Sequence, residues 1–332
     1  WRELPAALRT SDPGACDDDQ IWTMSVTELD GRFVMVYTAL SKAEQGQVQR
    51  TAVAHSDDLI TWQKSAANPV AAADPRWYEA DVSGSGRVSW RDPKPVLIDG
   101  TYHAVVSART KDGPLLRRGC VGLMTSPDLE HWEARPPLMA PGHYWDMECP
   151  QLFTIDGVYY LTASIMEDRS QRYWMASDPA GPFVVPPDGG ILAPKGHYAG
   201  RVCTWQGRHL FMCWHRPGVQ DGPVTVDWTT MSNTSGKFVV APLVLSQRPD
   251  KTLARQSYPG WTAYHQESPS TPAPDSGSDQ RDVASDSAAT WTLNAPAGRM
   301  ETLITAGGYG DLHATGQLRL NATIGGLVFR FD

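Results

Sequence analysis

An all-β chain assembled from repeated four-stranded units is the fold that the 332-residue sequence predicts, and three observations carry it. A Ser-x-Asp-Leu-x-x-Trp frame recurs, in "HSDDLITWQKSAANPV" (55–70) and "TSPDLEHWEARPPLMA" (125–140). Between its copies an Asp-Gly frame recurs, in "ELDGRFVMVYTA" (28–39), "LIDGTYHAVVSA" (97–108) and "TIDGVYYLTASI" (154–165), with a weaker copy in "TWQGRHLFMCWH" (204–215). No segment carries a sustained apolar period of 3.6.

The elements follow in chain order. "WRELPAALR" at the start fits the first frame from its tryptophan onward, so Trp1, Trp62 and Trp132 are expected at one structural position in successive units, 61 and 70 residues apart. Asp-Gly between two apolar runs predicts a tight hairpin, because both central residues of such a turn need positive φ. Each unit then reads as a strand, an Asp-Gly turn, a second strand, a third ("QRTAVAHS"; "GCVGLMTS") and a Trp-bearing tail. Units begin near residues 20, 88, 145 and 198, which makes four blades preceded by the tail of another. Four strands repeated at this period is the pattern of a β-propeller. A β-sandwich would explain the strands but not the recurring frame. The propeller is expected to run to residue 262, a Ser/Pro/Asp-rich linker from 263 to 289, and strands of a second module from 290 to 332. Those last 43 residues are too few for a sandwich on their own, so the chain is expected to be truncated at both ends.

Composition bounds the function. A net charge of −8 argues against a nucleic-acid partner, since phosphate contacts need a basic face. No apolar run is long enough for a membrane span. Thirteen tryptophans and eleven tyrosines suit a β-rich core and also sugar binding, where flat rings stack on sugar faces. Five widely spaced cysteines, Cys16, Cys120, Cys149, Cys203 and Cys213, form neither a disulfide framework nor a zinc motif, and most are expected as buried thiols in strands. Reduced thiols lean towards a cytoplasmic setting. No cluster has metal-ligand spacing, and no cofactor motif occurs.

Candidate chemistry lies where the first strand of each blade begins, beside the propeller axis. Counting back from the hairpin glycines, eight residues before Gly100 is Asp92 in "SWRDPKPV" and nine before Gly157 is Glu148 in "WDMECPQLF". Nine before Gly31 is Trp22, and "HYAGRV" holds the corresponding place in the fourth blade. Two successive blades are thus expected to present a carboxylate at the same inner-strand position. Aromatic and proline neighbours would dry that site. The plainer alternatives are an Arg91–Asp92 surface pair and an ordinary exposed Glu148. Convergent carboxylates suit glycoside hydrolysis, where one acid protonates the leaving oxygen and another carboxylate attacks or stabilises the cationic transition state.

"WRDP" followed 56 residues after its aspartate by "ECP" resembles glycoside hydrolase family 32, the invertase and fructanase family. "WTMSV" is similar to that family's blade-two motif, and "HYAGR" to the stretch opening its last blade. The resemblance implies a five-bladed propeller, here with its first blade largely missing, followed by the beginning of a C-terminal β-sandwich. It implies Glu148 as general acid/base and Asp92 as transition-state stabiliser. Arg91 would hold the sugar and tune the acid, Trp22 and Ser25 would line the fructosyl subsite, and Trp145, Cys149 and Tyr198 would be wall residues. The implied reaction is retaining cleavage of sucrose or fructans, or fructosyl transfer. The family's nucleophilic aspartate has no counterpart motif here and is expected upstream of Trp1; Asp17, Asp18 and Asp19 read as loop residues, at most part of a rim. Met24 stands where the family usually has glycine. A non-catalytic glycan-binding propeller, an interaction scaffold and a family 43-like glycosidase are the competing readings.

Overall fold

The computed structural model describes residues 3–215 and 238–260, together with the backbone of the strand segments 283–287 and 290–293. Four antiparallel sheets follow one another along the chain. The first comprises β1 (Gln20–Leu29), β2 (Arg32–Leu40), β3 (Arg50–Ser56) and β4 (Gln63–Lys64), hydrogen-bonded in that order. The second comprises β5 (Trp90–Ile98), β6 (Thr101–Arg109), β7 (Gly119–Ser126) and β8 (Glu133–Met139). The third comprises β9 (Met147–Ile155), β10 (Val158–Ile165), β11 (Ser170–Ala176) and β12 (Ile191–Ala193). In the fourth, β13 (His197–Trp205), β14 (Arg208–His215), β16 (Leu243–Gln247) and β17 (Leu253–Ser257) pair in order, with β15 (Phe238–Val239) also on β14.

The turns explain the repeat. Asp30-Gly31, Asp99-Gly100, Asp156-Gly157 and Gln206-Gly207 all hold positive φ at both positions, which matches the right-handed strand twist and closes each first hairpin in two residues. The second frame is equally local. Ser56 Oγ accepts the Leu59 N–H, the Asp58 carboxylate accepts the Ile60 and Thr61 N–H groups, and Trp62 Nε1 donates to the Leu59 carbonyl. Asp128, Leu129 and Trp132 repeat this arrangement, with Leu59 and Leu129 both left-handed. Trp62 and Trp132 therefore occupy one structural position; Trp1 lies outside the described residues.

The sheets stack face to face. Val34, Val36 and Val53 of the first pack against Trp90 and Val106 of the second. Val105 and Val121 of the second meet Met147 and Leu161 of the third, and Tyr160 and Tyr173 of the third meet Val202 and Phe211 of the fourth. The inner strands β1, β5, β9 and β13 adjoin in that order. This is an all-β propeller with four described blades, the four units counted along the sequence; the fifth that the family resemblance implies is not among them. Its compact unit runs from Trp1 to Pro259. A second unit, Gly260–Asp332, holds the two-stranded antiparallel pair β18 (Val283–Ser287) and β19 (Thr290–Leu293), which spans the boundary expected at 289; the remainder of the expected linker and sandwich lies outside the described residues.

Candidate active site

Each inner strand carries a one-residue β-bulge near its start. Asp92 and Pro93 of β5 lie opposite Val106 alone, Cys149 and Pro150 of β9 opposite Ala163, and Ala199 and Gly200 of β13 opposite Cys213. Asp92, Cys149 and Ala199, each seven residues before its hairpin turn, have φ of 61°, 48° and 52°. Non-glycine residues held there are strained, and such strain persists where surrounding structure over-determines it. Proline suits the second bulge position, because no ladder N–H is needed there. Gly200 is required by packing, since a Cβ would come within 2.3 Å of the Phe211 ring. In β1 the bulge holds Trp22 and Thr23 and sits one residue further from its hairpin.

This geometry corrects the expected register. Asp92 and Glu148 do not share an inner-strand position. Asp92 matches Cys149, whereas Glu148, the residue before the bulge, matches Arg91 and Tyr198. The three pre-bulge side chains from successive blades meet instead. Arg91 Nη2 donates to Glu148 Oε1 at 2.6 Å, and the Tyr198 hydroxyl donates to Glu148 Oε2. The Glu148 side chain keeps 19% of its surface open, so it is neither sealed in the core nor an ordinary surface acid.

Asp92 is buried behind this trio. Its Oδ2 accepts the Cys149 N–H at 2.8 Å, its own N–H donates to Thr38 Oγ1 at 3.1 Å, and Arg201 Nη2 donates to its carbonyl at 3.2 Å. Arg91 and Asp92 are thus no surface pair; both are buried. Burial opposes the Arg91 charge, but Asp146, Glu148 and Asp92 around it outweigh that cost and hold the guanidinium firmly protonated. Burial and the neighbouring Glu148 push the Tyr198 hydroxyl well up, so it remains a donor. Burial and Asp92 likewise push the Cys149 thiol up, which leaves it inert as a nucleophile.

Other expected residues divide. Ser25 Oγ donates to the Pro93 carbonyl at 2.7 Å and so braces the Asp92 bulge. Trp22 is half-buried, with Nε1 on Gln20 Oε1, and no described hydrogen bond or ring contact ties it to Glu148. Trp145 lies over Arg109, whose guanidinium carbon is 4.0 Å from its ring centroid. Asp17 and Asp18 are buried in the turn before β1: Asp17 accepts from Tyr37 and pairs with Lys64, and Asp18 caps the Gly14 and Lys42 N–H groups. The five cysteines are unpaired; Cys120, Cys149 and Cys213 are buried, whereas Cys203 is exposed.

The sequence reading missed Asp146, Arg87 and Arg169. Asp146 is fully buried and binds both Arg87 and Arg91. Its signal was the two-residue spacing in "DME", which puts Asp146 and Glu148 on one face of a strand. Arg169 holds its guanidinium carbon 5.3 Å from the Tyr198 ring centroid. Among the described residues no three metal-ligating side chains come together, and no helix is long and apolar enough to cross a membrane.

Comparison with known proteins gives this arrangement its family. The profile described as "Glycosyl hydrolases family 32 N-terminal domain" matches residues 1–239. β-Fructofuranosidase 1 of Zea mays is 30% identical over 148 residues, which cover 42% of this chain and 20% of the maize protein. The fold is similar to that of fructan 1-exohydrolase IIa from Cichorium intybus, with a TM-score of 0.60 at 19% identity, over 80% of this chain and 51% of that one. The family 32 β-fructofuranosidase of Bombyx mori gives a TM-score of 0.58 at 16% identity, over 80% and 55%. The chicory and silkworm proteins have been solved, as variants, with 1-kestose and sucrose respectively. This chain spans about half the length of those solved relatives and a fifth of the maize protein. The chain belongs to glycoside hydrolase family 32, whose N-terminal domain its residues 1–239 match.

Proposed function

We propose that the protein cleaves β-fructosidic bonds of sucrose or fructans by a retaining double displacement, with Glu148 as general acid/base. The observation that carries this reading is the Glu148 carboxylate, partly open and gripped by Arg91 and Tyr198 beside buried Asp92. A general acid must reach the leaving oxygen, so some exposure is needed, and its aim must be fixed by partners. Asp92, held by the Cys149 N–H, stabilises the oxocarbenium-like transition state through sugar hydroxyls. Arg91, Tyr198, Cys149 and Trp145 form the sugar-binding wall, and Trp22 and Ser25 its neighbouring side.

A carboxylate nucleophile completes a retaining site. Among the described acids, Asp92 is assigned to transition-state stabilisation, Asp146 is buried against Arg87 and Arg91, and Asp17 and Asp18 are committed to the first turn. We place the nucleophile on the inner strand of a fifth blade between the fourth and the first. Exposed apolar side chains on two sheets support that blade, although Met35, Tyr37 and Ala39 on the same face of the first sheet are already covered by Leu8, Cys16 and Trp62. On the first sheet, Met24 and Val26 are 43% and 40% exposed, on the face turned away from the second sheet. On the fourth, Trp205 and Met212 are 57% and 39% exposed, on the face turned away from the third. The boundaries that go with this reading are a propeller to residue 262, a linker to 289 and the beginning of a sandwich beyond it.

Sucrose supplied to the intact protein tests the reading. E148Q is expected to lower kcat by roughly a thousandfold or more, and near wild-type turnover would remove Glu148 from the mechanism. D92N is expected to lower kcat far more than it raises KM; an equal loss in both would make Asp92 structural. Free glucose and fructose in equal amounts indicate hydrolysis, whereas glucose in excess of fructose indicates fructosyl transfer.

A further inference from the structure

Arg91 gives one nitrogen, Nη2, to two acids. It lies 2.6 Å from Glu148 Oε1 and 3.0 Å from Asp146 Oδ2. Asp146 is fully buried, and the same Oδ2 also receives Arg87. Its other oxygen has no hydrogen-bond partner among the described residues, so its bonds run only to the two arginines. A backbone-capping role would have engaged N–H groups, as Asp58 and Asp18 do. The order Arg87–Asp146–Arg91–Glu148 is a row of alternating charges ending at the open carboxylate.

A buried arginine favours the ionised form of a carboxylate it touches, so whatever else pairs with that arginine bears on the carboxylate. We propose that Asp146 and Arg87 are positioning residues that apportion the charge of Arg91 and so set the pH range over which Glu148 keeps its proton. This rests on the reading of Glu148 as general acid. Asp146 draws part of the guanidinium charge away from Glu148, and Arg87 limits how much. The other groups around the Arg91–Glu148 pair are Asp92 of β5, 3.7 Å from Arg91 Nε, the Tyr198 hydroxyl from β13 with Arg169 over its ring, and Cys149 on the strand of Glu148. Those facing Asp146 besides the arginines are Cys120 and Glu167.

The two members act in opposite directions, which separates charge from packing. The basic limb of kcat/KM reports loss of the catalytic proton. Removing the Asp146 charge leaves Glu148 with more of Arg91, so D146N should move that limb down by about one pH unit. Removing Arg87 frees Asp146 to neutralise Arg91, so R87Q should move it up by about half a unit. Both are measured on the intact protein with sucrose, beside E148Q. Wild-type turnover in E148Q would overturn the general-acid reading itself. An inactive E148Q, with both limbs unmoved or moved the same way, would overturn this proposal alone. If D146N does not fold, R87Q decides alone, its arginine being 26% exposed; no upward shift overturns the proposal.

Discussion

Arg109 shows at the scale of one residue how the Trp145 ring is held. It is fully buried, donates from Nε to Glu79 Oε2 at 2.8 Å, and supports the Trp145 ring. Breaking a buried pair by removing one partner strands the other charge. R109M should therefore lower the unfolding free energy by about 3–5 kcal/mol, while R109M/E79L should lose much less. Equal losses by chemical denaturation would show that the pairing contributes nothing beyond packing. Residue-scale chemistry was only partly legible in the sequence. Asp92 and Glu148 stood out by their dry flanks and spacing, whereas Arg91 and Tyr198 came only from the family resemblance. The mutual register of the four was not legible, because counting back from a hairpin assumes an even ladder, and a bulge inserts a residue that only the pairing reveals. Asp146 was passed over because a loop acid and a buried counter-ion look alike until the arginines that meet it are placed.

At the scale of elements the sequence was read most fully, since the deciding contacts are local. The Asp-Gly hairpins and the Ser-x-Asp-Leu-x-x-Trp turns are each closed within a few residues. Backbone N–H groups of Thr61 and Ile60 hold the Asp58 carboxyl down at about 2, from an ordinary 3.8. A group whose folded value is depressed stabilises the fold above its unfolded value, and that contribution is lost as pH falls through the folded one. D58N should therefore have a lower melting temperature than wild type at pH 6, with the gap closing between about pH 4 and pH 2. A gap unchanged across that window would mean that shape, and not charge, secures the turn. Asp128 caps its turn in the same way and should behave alike.

Across the whole molecule, four blades were countable because each announces itself with a hairpin. A fifth is proposed from the exposed Met24, Val26, Trp205 and Met212 and from the lack of a nucleophile candidate among the described residues. The 332-residue chain assayed alone is accordingly expected to release little glucose from sucrose, at least a hundredfold less than the intact protein. Comparable turnover would put the nucleophile within it.

The shared bulge of β5, β9 and β13 carries a consequence for descent and redesign. Arg-Asp-Pro, Glu-Cys-Pro and Tyr-Ala-Gly are three occupants of one backbone seat, repeated around the ring. A side chain placed in any seat is delivered to the same small volume by geometry that its neighbours already share. New chemistry can then arise by exchanging a tripeptide, with no loop rebuilt and no blade moved. The seat is inherited from the scaffold, and only its occupant has to be invented.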